Sequence, residues 1–369
     1  MFDRTDDVDD SHLLTVCLVT LGDPDTMTGG YLYHRRIAEL APACGARVEF
    51  VSFPAWRFPL PALAGPAVLR AVARRQPDVL LLDSIAAAFV GPWRAHRRSR
   101  VPVVGMLHQR PGGIDHGPTR TRLQAALDRR AHRQAARLLV ASASLADELI
   151  AGGVPDELVR VVPPGRDVAS DIRPPPAELR AGRKAAILTV GNWVERKGLL
   201  DLLDAVAALP PESVTLHLVG DTQTDPGYAA RVRARIAAAD LVDRVVVHGP
   251  RSVTEVAGLY QAADLFALTS VREPYGTVYG EAMAAGLPVV GWDTGNLPHL
   301  ARDGVEGRVI PLGDRAALTA ALGSLAENEP LRRRLAAAAR RRAATFPTWP
   351  ETARRLFAEL RAVVREAAA

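Results

Sequence analysis

The sequence predicts an α/β protein of two facing Rossmann-like, doubly wound domains with an interdomain cleft. Three observations carry that expectation. Short apolar runs of strand length alternate with helical patterns along the chain, the signature of parallel βα architecture. A Pro-rich polar stretch, from Pro163 through Pro174-Pro175-Pro176 to about Lys184, interrupts the alternation near mid-chain and marks a domain boundary. Glycine-bearing turns follow several strands, and ligands of doubly wound sheets bind beyond the carboxyl ends of strands. At 369 residues the chain is long enough for two cores.

Strands are predicted at 13–19, 48–52, 79–82, 103–107, 138–141 and 159–162, within a first domain over residues 1–170. After a linker over 171–184, they resume at 186–190, 214–219, 245–248, 265–268, 289–292 and 308–311, within a second domain over 185–345. The chain closes in Arg- and Ala-rich helices broken near Phe346-Pro347-Thr348-Trp349-Pro350. A C-terminal helix over 346–369 can return to the first domain.

Composition narrows the class. Hydrophobic residues make up 48% and charged residues 24%, as in soluble globular proteins. No apolar run approaches the ~20 residues of a membrane span. The N-terminus, Met-Phe-Asp-Arg-Thr-Asp-Asp-Val-Asp-Asp, is acidic and lacks the basic-then-apolar layout of a signal peptide. Cys17 and Cys44 are the only cysteines, with no spacing for zinc or a disulfide framework. A reducing cytoplasm is the expected compartment, with peripheral contact at the inner membrane surface as an addition. The net charge of +5 arises with only two lysines, Lys184 and Lys197. Between Arg94 and Arg137, eleven arginines stand against Asp115 and Asp128. A solvated helical face is the favoured reading; the sharper ones are an anionic membrane surface or an acidic acceptor. Without interleaved aromatics or a binding module, nucleic acid is not expected.

The chemistry-bearing segments follow in chain order. Gly29-Gly30 lie after the first strand, before a helix expected near Tyr31; glycines there admit a ligand close to a helix N-terminus, although taken alone the pair reads first as an ordinary βα turn. His108 ends the strand 103–107 and precedes Gln109-Arg110-Pro111-Gly112-Gly113. It is either a ligand contact or a satisfied structural histidine. Gly191-Asn192-Trp193-Val194-Glu195-Arg196-Lys197-Gly198 follows the strand that opens the second domain. A glycine followed by basic residues entering a helix can clamp a diphosphate, Arg196 bidentately and Lys197 as a point charge; a solvated loop is the alternative.

Residues 273 to 290 read Glu-Pro-Tyr-Gly-Thr-Val-Tyr-Gly-Glu-Ala-Met-Ala-Ala-Gly-Leu-Pro-Val-Val and say most about function. A turn after Glu273 leads into a short helix holding Glu281, ended by Gly286 and Pro288, so amides at a helix N-terminus can hold an anion between two carboxylates. A buried glutamate pair could be a general acid and base, as in glycoside hydrolysis. Carboxylates also accept paired hydroxyls of sugar or ribose, and beside a basic clamp that role is preferred.

Together these residues resemble the retaining glycosyltransferases of family 4, whose fold is GT-B. The most specific part is Ser270 to Gly291, with two glutamates separated by seven residues and then Glu-Ala-Met-Ala. Gly29-Gly30, Val162-Pro163-Pro164-Gly165-Arg166-Asp167, Tyr260-Gln261-Ala262-Ala263-Asp264 and Asp303-Gly304-Val305-Glu306-Gly307 support it. The resemblance implies transfer of a sugar from a nucleoside diphosphate sugar, such as a UDP- or GDP-sugar, to an acceptor hydroxyl or amine, with no cofactor and no metal. It implies that Glu281 binds the ribose, Glu273 the donor sugar, and the amides of Tyr275, Gly276 and Thr277 the phosphate and sugar. By the same resemblance Lys197 grips the diphosphate, His108 lies near the transferred sugar, Gly30 belongs to the closing loop, and the loop Gly249-Pro250-Arg251 holds the base, largely through backbone. Two positions depart from the family pattern: Asn192 stands where arginine is usual, with Arg196 able to supply the charge, and Gly295-Asn296-Leu297-Pro298-His299 stands where Gly-Gly-x-Pro-Glu is common. The acceptor, small or lipid-linked, is not legible. The rivals are a GT-B epimerase or phosphorylase, and a sugar-nucleotide-binding protein without transferase activity.

Overall fold

The structure, a computed structural model, describes residues 12–25, 29–94, 101–114, 116–166 and 179–369. It divides into one unit of Met1–Gly165 with Thr348–Ala369, and a second of Arg166–Pro347.

In the first unit, strands and helices alternate from β1 (Leu14–Leu21) and α1 (Gly29–Leu40) to β2 (Ala46–Phe53) and α2 (Gly65–Arg74). The alternation continues through β3 (Val79–Asp83), α3 (Ala87–Arg94), β4 (Val103–Leu107) and α4 (Pro118–His132), then β5 (Arg137–Val140), α5 (Ala143–Ala151) and β6 (Val159–Val161). The strands form one parallel sheet in the order β2-β1-β3-β4-β5-β6. β3 and β4 are buried along their whole length, because helices cover both faces of a doubly wound sheet.

The second unit holds β7 (Ala185–Val190), α6 (Leu199–Ala207), β8 (Val214–Val219), α7 (Pro226–Ile236), β9 (Val245–Gly249) and α8 (Val253–Ala262). It continues with β10 (Leu265–Leu268), α9 (Thr277–Ala285), β11 (Val289–Trp292), α10 (Leu297–Leu300), β12 (Gly307–Ile310), α11 (Arg315–Glu327) and α12 (Glu329–Ala343). Its parallel sheet runs β12-β11-β10-β7-β8-β9. The strand order therefore reverses between β1 and β3 in the first sheet, and between β7 and β10 in the second. Such reversals open the crevice in which ligands of this architecture bind.

α13 (Trp349–Ala368) belongs to the first unit. Trp349, Ala353, Leu356, Phe357, Leu360 and Val363 form an apolar stripe that packs with Leu14, Val16, Tyr33 and Ile37. That spacing is the helical 3.6-residue period, and each large side chain so buried stabilises by roughly 1.5–3 kcal/mol before entropy is counted. Gly165 lets α13 approach, since a Cβ there would lie 2.3 Å from the Trp349 Cα.

One expectation changes. Gly29 and Gly30 are the first residues of α1, not part of a turn before it: a helix needs no side chain at its start, so glycine does not end the pattern. Of the predicted linker, 171–178 lie outside the described residues. Leu179 is buried in the second unit's core, whereas Arg180, Ala181, Gly182 and Lys184 are exposed.

Candidate functional site

In the second unit, the site grows from the two loops that follow β7 and β10, the strands flanking the reversal. The first, residues 191–198, is anchored by Trp193, whose side chain is buried and whose N–H donates to the Asp221 carbonyl at 2.8 Å. It ends in a 3₁₀ turn, Glu195–Lys197, and at Gly198 with φ of 65°. A Cβ at Gly198 would lie 2.1 Å from the Thr269 carbonyl oxygen, so both conformation and space demand glycine there. The second loop is stitched to the first. Thr269 Oγ1 donates to the Gly198 carbonyl at 2.7 Å, the Val271 N–H to the Arg196 carbonyl at 2.8 Å, and Ser270 Oγ lies 3.1 Å from the carbonyls of Arg196 and Arg272.

This stitching brings Lys197 Nζ to 2.5 Å from Glu273 Oε2. Arg196 Nη1 reaches the same oxygen at 3.9 Å. The side chains of Lys197 and Glu273 are only 9% and 14% exposed, so water screens the pair weakly. Two cations on one carboxylate leave the trio net positive, as an anion site requires. Asn192 adds no cation: it is exposed, and its Oδ1 accepts the Asp221 N–H at 3.2 Å.

Beyond Glu273 the chain turns at Gly276, φ 80°, into α9. The first amides of a helix have no acceptor within it, and those of α9 begin at Thr277. The turn is held from below by Asn296, which sequence reasoning had noted only as a departure. Its N–H donates to the Glu273 carbonyl at 3.1 Å and its Nδ2 to the Tyr275 carbonyl at 2.9 Å. Burial pushes the Tyr275 phenol up to about 12, so it stays an uncharged donor near neutrality. Glu281 faces outward from α9 and is exposed, and its Oε2 accepts the Tyr260 hydroxyl at 3.0 Å. This corrects the buried-pair alternative. A general acid is kept protonated by an apolar pocket, whereas Glu281 stands in solvent and Glu273 already has a cationic partner. Arg251 is exposed just before α8, its Nη1 3.2 Å from Glu255 Oε1.

In the first unit, a polar cluster lies at the carboxyl ends of β1, β3 and β4, beside the other reversal. Asp83 closes β3 and is 2% exposed; its Oδ2 accepts the Thr20 hydroxyl at 2.7 Å and lies 3.1 Å from His34 Nε2. His108 follows β4, and its ring packs edge-on to those of His34 and Tyr33 at 4.7 and 4.9 Å. Nitrogens of both imidazoles and an Asp83 oxygen lie within 4.8 Å of one another. These are donor types a metal would use, but the Asp83 oxygen is already committed to Thr20 and His34. Burial with the neighbouring His34 depresses His108 to about 3, leaving it neutral. Burial alone would raise Asp83, but His34, His108 and Thr20 together bring it down to about 2. Gly30 stands over the His108 ring, where a Cβ would be 3.5 Å away; Gly29 has open space around it. Past His108, Asp128 of α4 accepts the Gly112 N–H at 2.8 Å and fixes the glycine turn. His34, Asp83 and Asp128 were not singled out for chemistry, because nothing in their sequence neighbours distinguishes them from other polar residues at element ends.

Comparison with known proteins supplies the family. The family model described as "Glycosyltransferase Family 4" matches residues 15–170, and that described as "Glycosyl transferases group 1" matches 174–342. The chain belongs to the family 4, group 1 glycosyltransferases. It is 32% identical over 296 residues to a D-inositol 3-phosphate glycosyltransferase of Mycobacterium sp. (strain JLS), covering 76% of this chain and 66% of the relative. It is 33% identical over 206 residues to the protein of the same name from Xylanimonas cellulosilytica, covering 53% of this chain and 49% of the relative. These matches span half to two thirds of the curated relatives' length. Among solved structures, Anabaena HepE in complex with UDP-glucose is 25% identical with a TM-score of 0.75, covering 95% of this chain and 99% of that one. The two parallel sheets of this family 4 chain are thus those of the GT-B fold. Among the described residues, no helix is long and apolar enough to cross a membrane.

Proposed function

We propose that this chain transfers a hexosyl or N-acetylhexosaminyl group from a nucleoside diphosphate sugar to an acceptor hydroxyl or amine, with retention at the anomeric carbon. The observation that carries the reading is the Lys197–Glu273 pair, joined by Arg196, at the strand reversal of the second sheet. It stands directly before the turn into α9. A diphosphate leaving group gains negative charge as the glycosidic bond breaks. Lys197, Arg196 and the amides of Tyr275, Gly276 and Thr277 oppose that charge where it develops, and preorganised electrostatics of this kind is usually the largest catalytic contribution. Glu273 holds the donor sugar and keeps the Lys197 ammonium in place. Glu281, oriented by Tyr260, takes the ribose hydroxyls. The turn ending at Arg251 takes the base. The acceptor attacks the face the leaving group departs from, and the departing phosphate takes its proton, so no carboxylate base is needed. No metal enters these roles.

The named relatives make a phosphorylated polyol the first acceptor to try; lipid-linked acceptors at a membrane surface come second. The test is a thermal-shift series with UDP, GDP, ADP and dTDP, since a ligand that binds the folded state raises its melting point. Turnover of the matching sugar nucleotides follows, with the product anomer read by NMR. Stabilisation by a nucleotide with no product from any acceptor would favour the binding-protein reading. An inverted product would remove the retaining mechanism.

A further inference from the structure

His34 is buried with Tyr33 and Ile37 on α1, a position where an imidazole loses its water and needs a polar partner. Its Nε2 lies 3.1 Å from Asp83 Oδ2, with the two side chains 2% and 3% exposed. That closeness is not a hydrogen bond: His34 Nε2 has no hydrogen-bond partner, and neither has the buried Nε2 of His108. Two imidazole nitrogens therefore end unpaired in one corner of the first unit, beside the carboxyl ends of β3 and β4. A nitrogen of each imidazole and an Asp83 oxygen all lie within 4.8 Å of one another. The nearby phenols are spent elsewhere. Tyr33 gives its hydroxyl to the Val162 carbonyl at 3.1 Å, and Tyr31 gives its own to the Leu21 carbonyl.

We propose that His34, Asp83 and His108 form a binding site for a divalent first-row transition ion of the zinc type. Two imidazoles and one carboxylate are an N/O donor set suited to such ions. Ligand atoms about 2.0–2.1 Å from one tetrahedral ion stand roughly 3.3 Å apart, close to the 3.1 Å between His34 Nε2 and Asp83 Oδ2. An ion between them is met by both atoms, which accounts for a pair that comes near without bonding to each other. The carboxylate is braced in the way outer partners brace a metal ligand: Thr20 donates to Oδ2 at 2.7 Å and the Ile85 N–H to Oδ1 at 3.3 Å. Thr20 uses one lone pair of Oδ2, and a carboxylate oxygen has a second. All three ligands belong to the first unit, so the ion pins α1 to the ends of β3 and β4. Three protein ligands leave a fourth position open, and His108 is only half-buried, so the ion exchanges with solvent.

The test titrates zinc chloride into the full chain, stripped with a chelator and freed of any purification tag, in competition with a chromophoric chelator. One zinc per chain is expected. His34→Gln, Asp83→Asn and His108→Asn should each weaken binding by about 100-fold or more, and Thr20→Val, which removes an outer partner, by about 10- to 100-fold. His12→Gln, at an exposed histidine of the same unit, should leave it unchanged. Zinc should raise the melting point of the unsubstituted chain and not that of the three ligand variants, since an ion that binds only the folded state stabilises it. X-ray absorption at the zinc edge needs no variant, so the proposal stays testable if a substitution prevents folding: a shell of imidazole nitrogen and oxygen at about 2.0–2.1 Å is expected. No zinc bound at one equivalent, binding that survives the three ligand substitutions, or a shell without imidazole or with sulfur from Cys17 or Cys44 overturns the proposal. No sugar nucleotide enters these measurements, so their failure leaves the transferase reading standing, and a chain without turnover leaves the metal site standing.

Discussion

Lys197 Nζ lies 2.5 Å from Glu273 Oε2, an ion pair joining the loop after β7 to the loop after β10. These strands are neighbours in the sheet and far apart in sequence, so the pair closes the strand reversal. Lys197→Ala removes a cation from the place where leaving-group charge is expected to grow. A loss of about 10²–10³ in kcat is expected, while Lys197→Arg recovers part of it. Steady-state kinetics with the preferred donor measure both; near-normal turnover for the alanine variant sinks the assignment.

Arg196 is the second cation on the same carboxylate. Because Asn192 turns to Asp221, Arg196→Ala should weaken nucleotide diphosphate binding by about 10- to 100-fold, the range for one charged hydrogen bond. Calorimetric titration of the diphosphate reads this, and unchanged affinity would assign Arg196 to bracing the loop alone.

Tyr260 and Glu281 form a different relationship, a buried phenol orienting an exposed carboxylate. Burial and the Glu281 charge both hold the Tyr260 phenol above its usual range, so it remains a donor at any workable pH. Tyr260→Phe should raise the donor KM several-fold with little change in kcat. Glu281→Ala should abolish transfer outright. If the phenylalanine variant lowers kcat and leaves KM alone, the orienting role is wrong.

Asp128 gives a stability signature. Burial pushes its carboxyl up to about 7, with the Gly112 N–H pulling the other way. A folded-state value above the unfolded ~3.9 means that the native state holds the extra proton. The associated stability, up to about 4 kcal/mol, is complete below pH ~4 and is lost as pH climbs to about 7. Calorimetry from pH 4 to pH 8 should show the first unit's transition weakening, and Asp128→Asn should flatten that slope. An equally steep slope in the variant refutes the attribution.

Gly198→Ala tests the stitching beneath the site. The added methyl would sit 2.1 Å from the Thr269 carbonyl at a positive φ, so backbone must move. A loss of about 2–4 kcal/mol is expected, seen as a lower melting point, together with weaker nucleotide binding as Lys197 shifts. An unchanged melting point would mean the two loops are not coupled.

All twelve predicted strands overlap observed ones, because each is a short apolar run of strand length; the central ones are buried on both faces, while β9 at a sheet edge keeps Val246 and Val247 exposed. The segment from Glu273 to Gly286 was equally legible, since Gly276 and Gly286 both take left-handed conformations that only a few residues tolerate. Lys197 stood out by its rarity. Asn296, Tyr260, His34 and Asp83 did not, because their importance lies in partners 21 to 49 residues away: Asn296 with Tyr275, Tyr260 with Glu281, His34 with Asp83, and Asp83 with His108.

The sequence by itself determined the alternating α/β character, the family and the residues of the proposed donor cradle, since periodicity, turn chemistry and motif spacing are local and survive in one dimension. Only the tertiary structure decided the strand order in each sheet, and with it which loops become neighbours at the reversals. That is why Lys197 meets Glu273, and why His34 and Asp83 close around His108: these pairings are made by strands lying side by side, and nothing short-range in the chain encodes them.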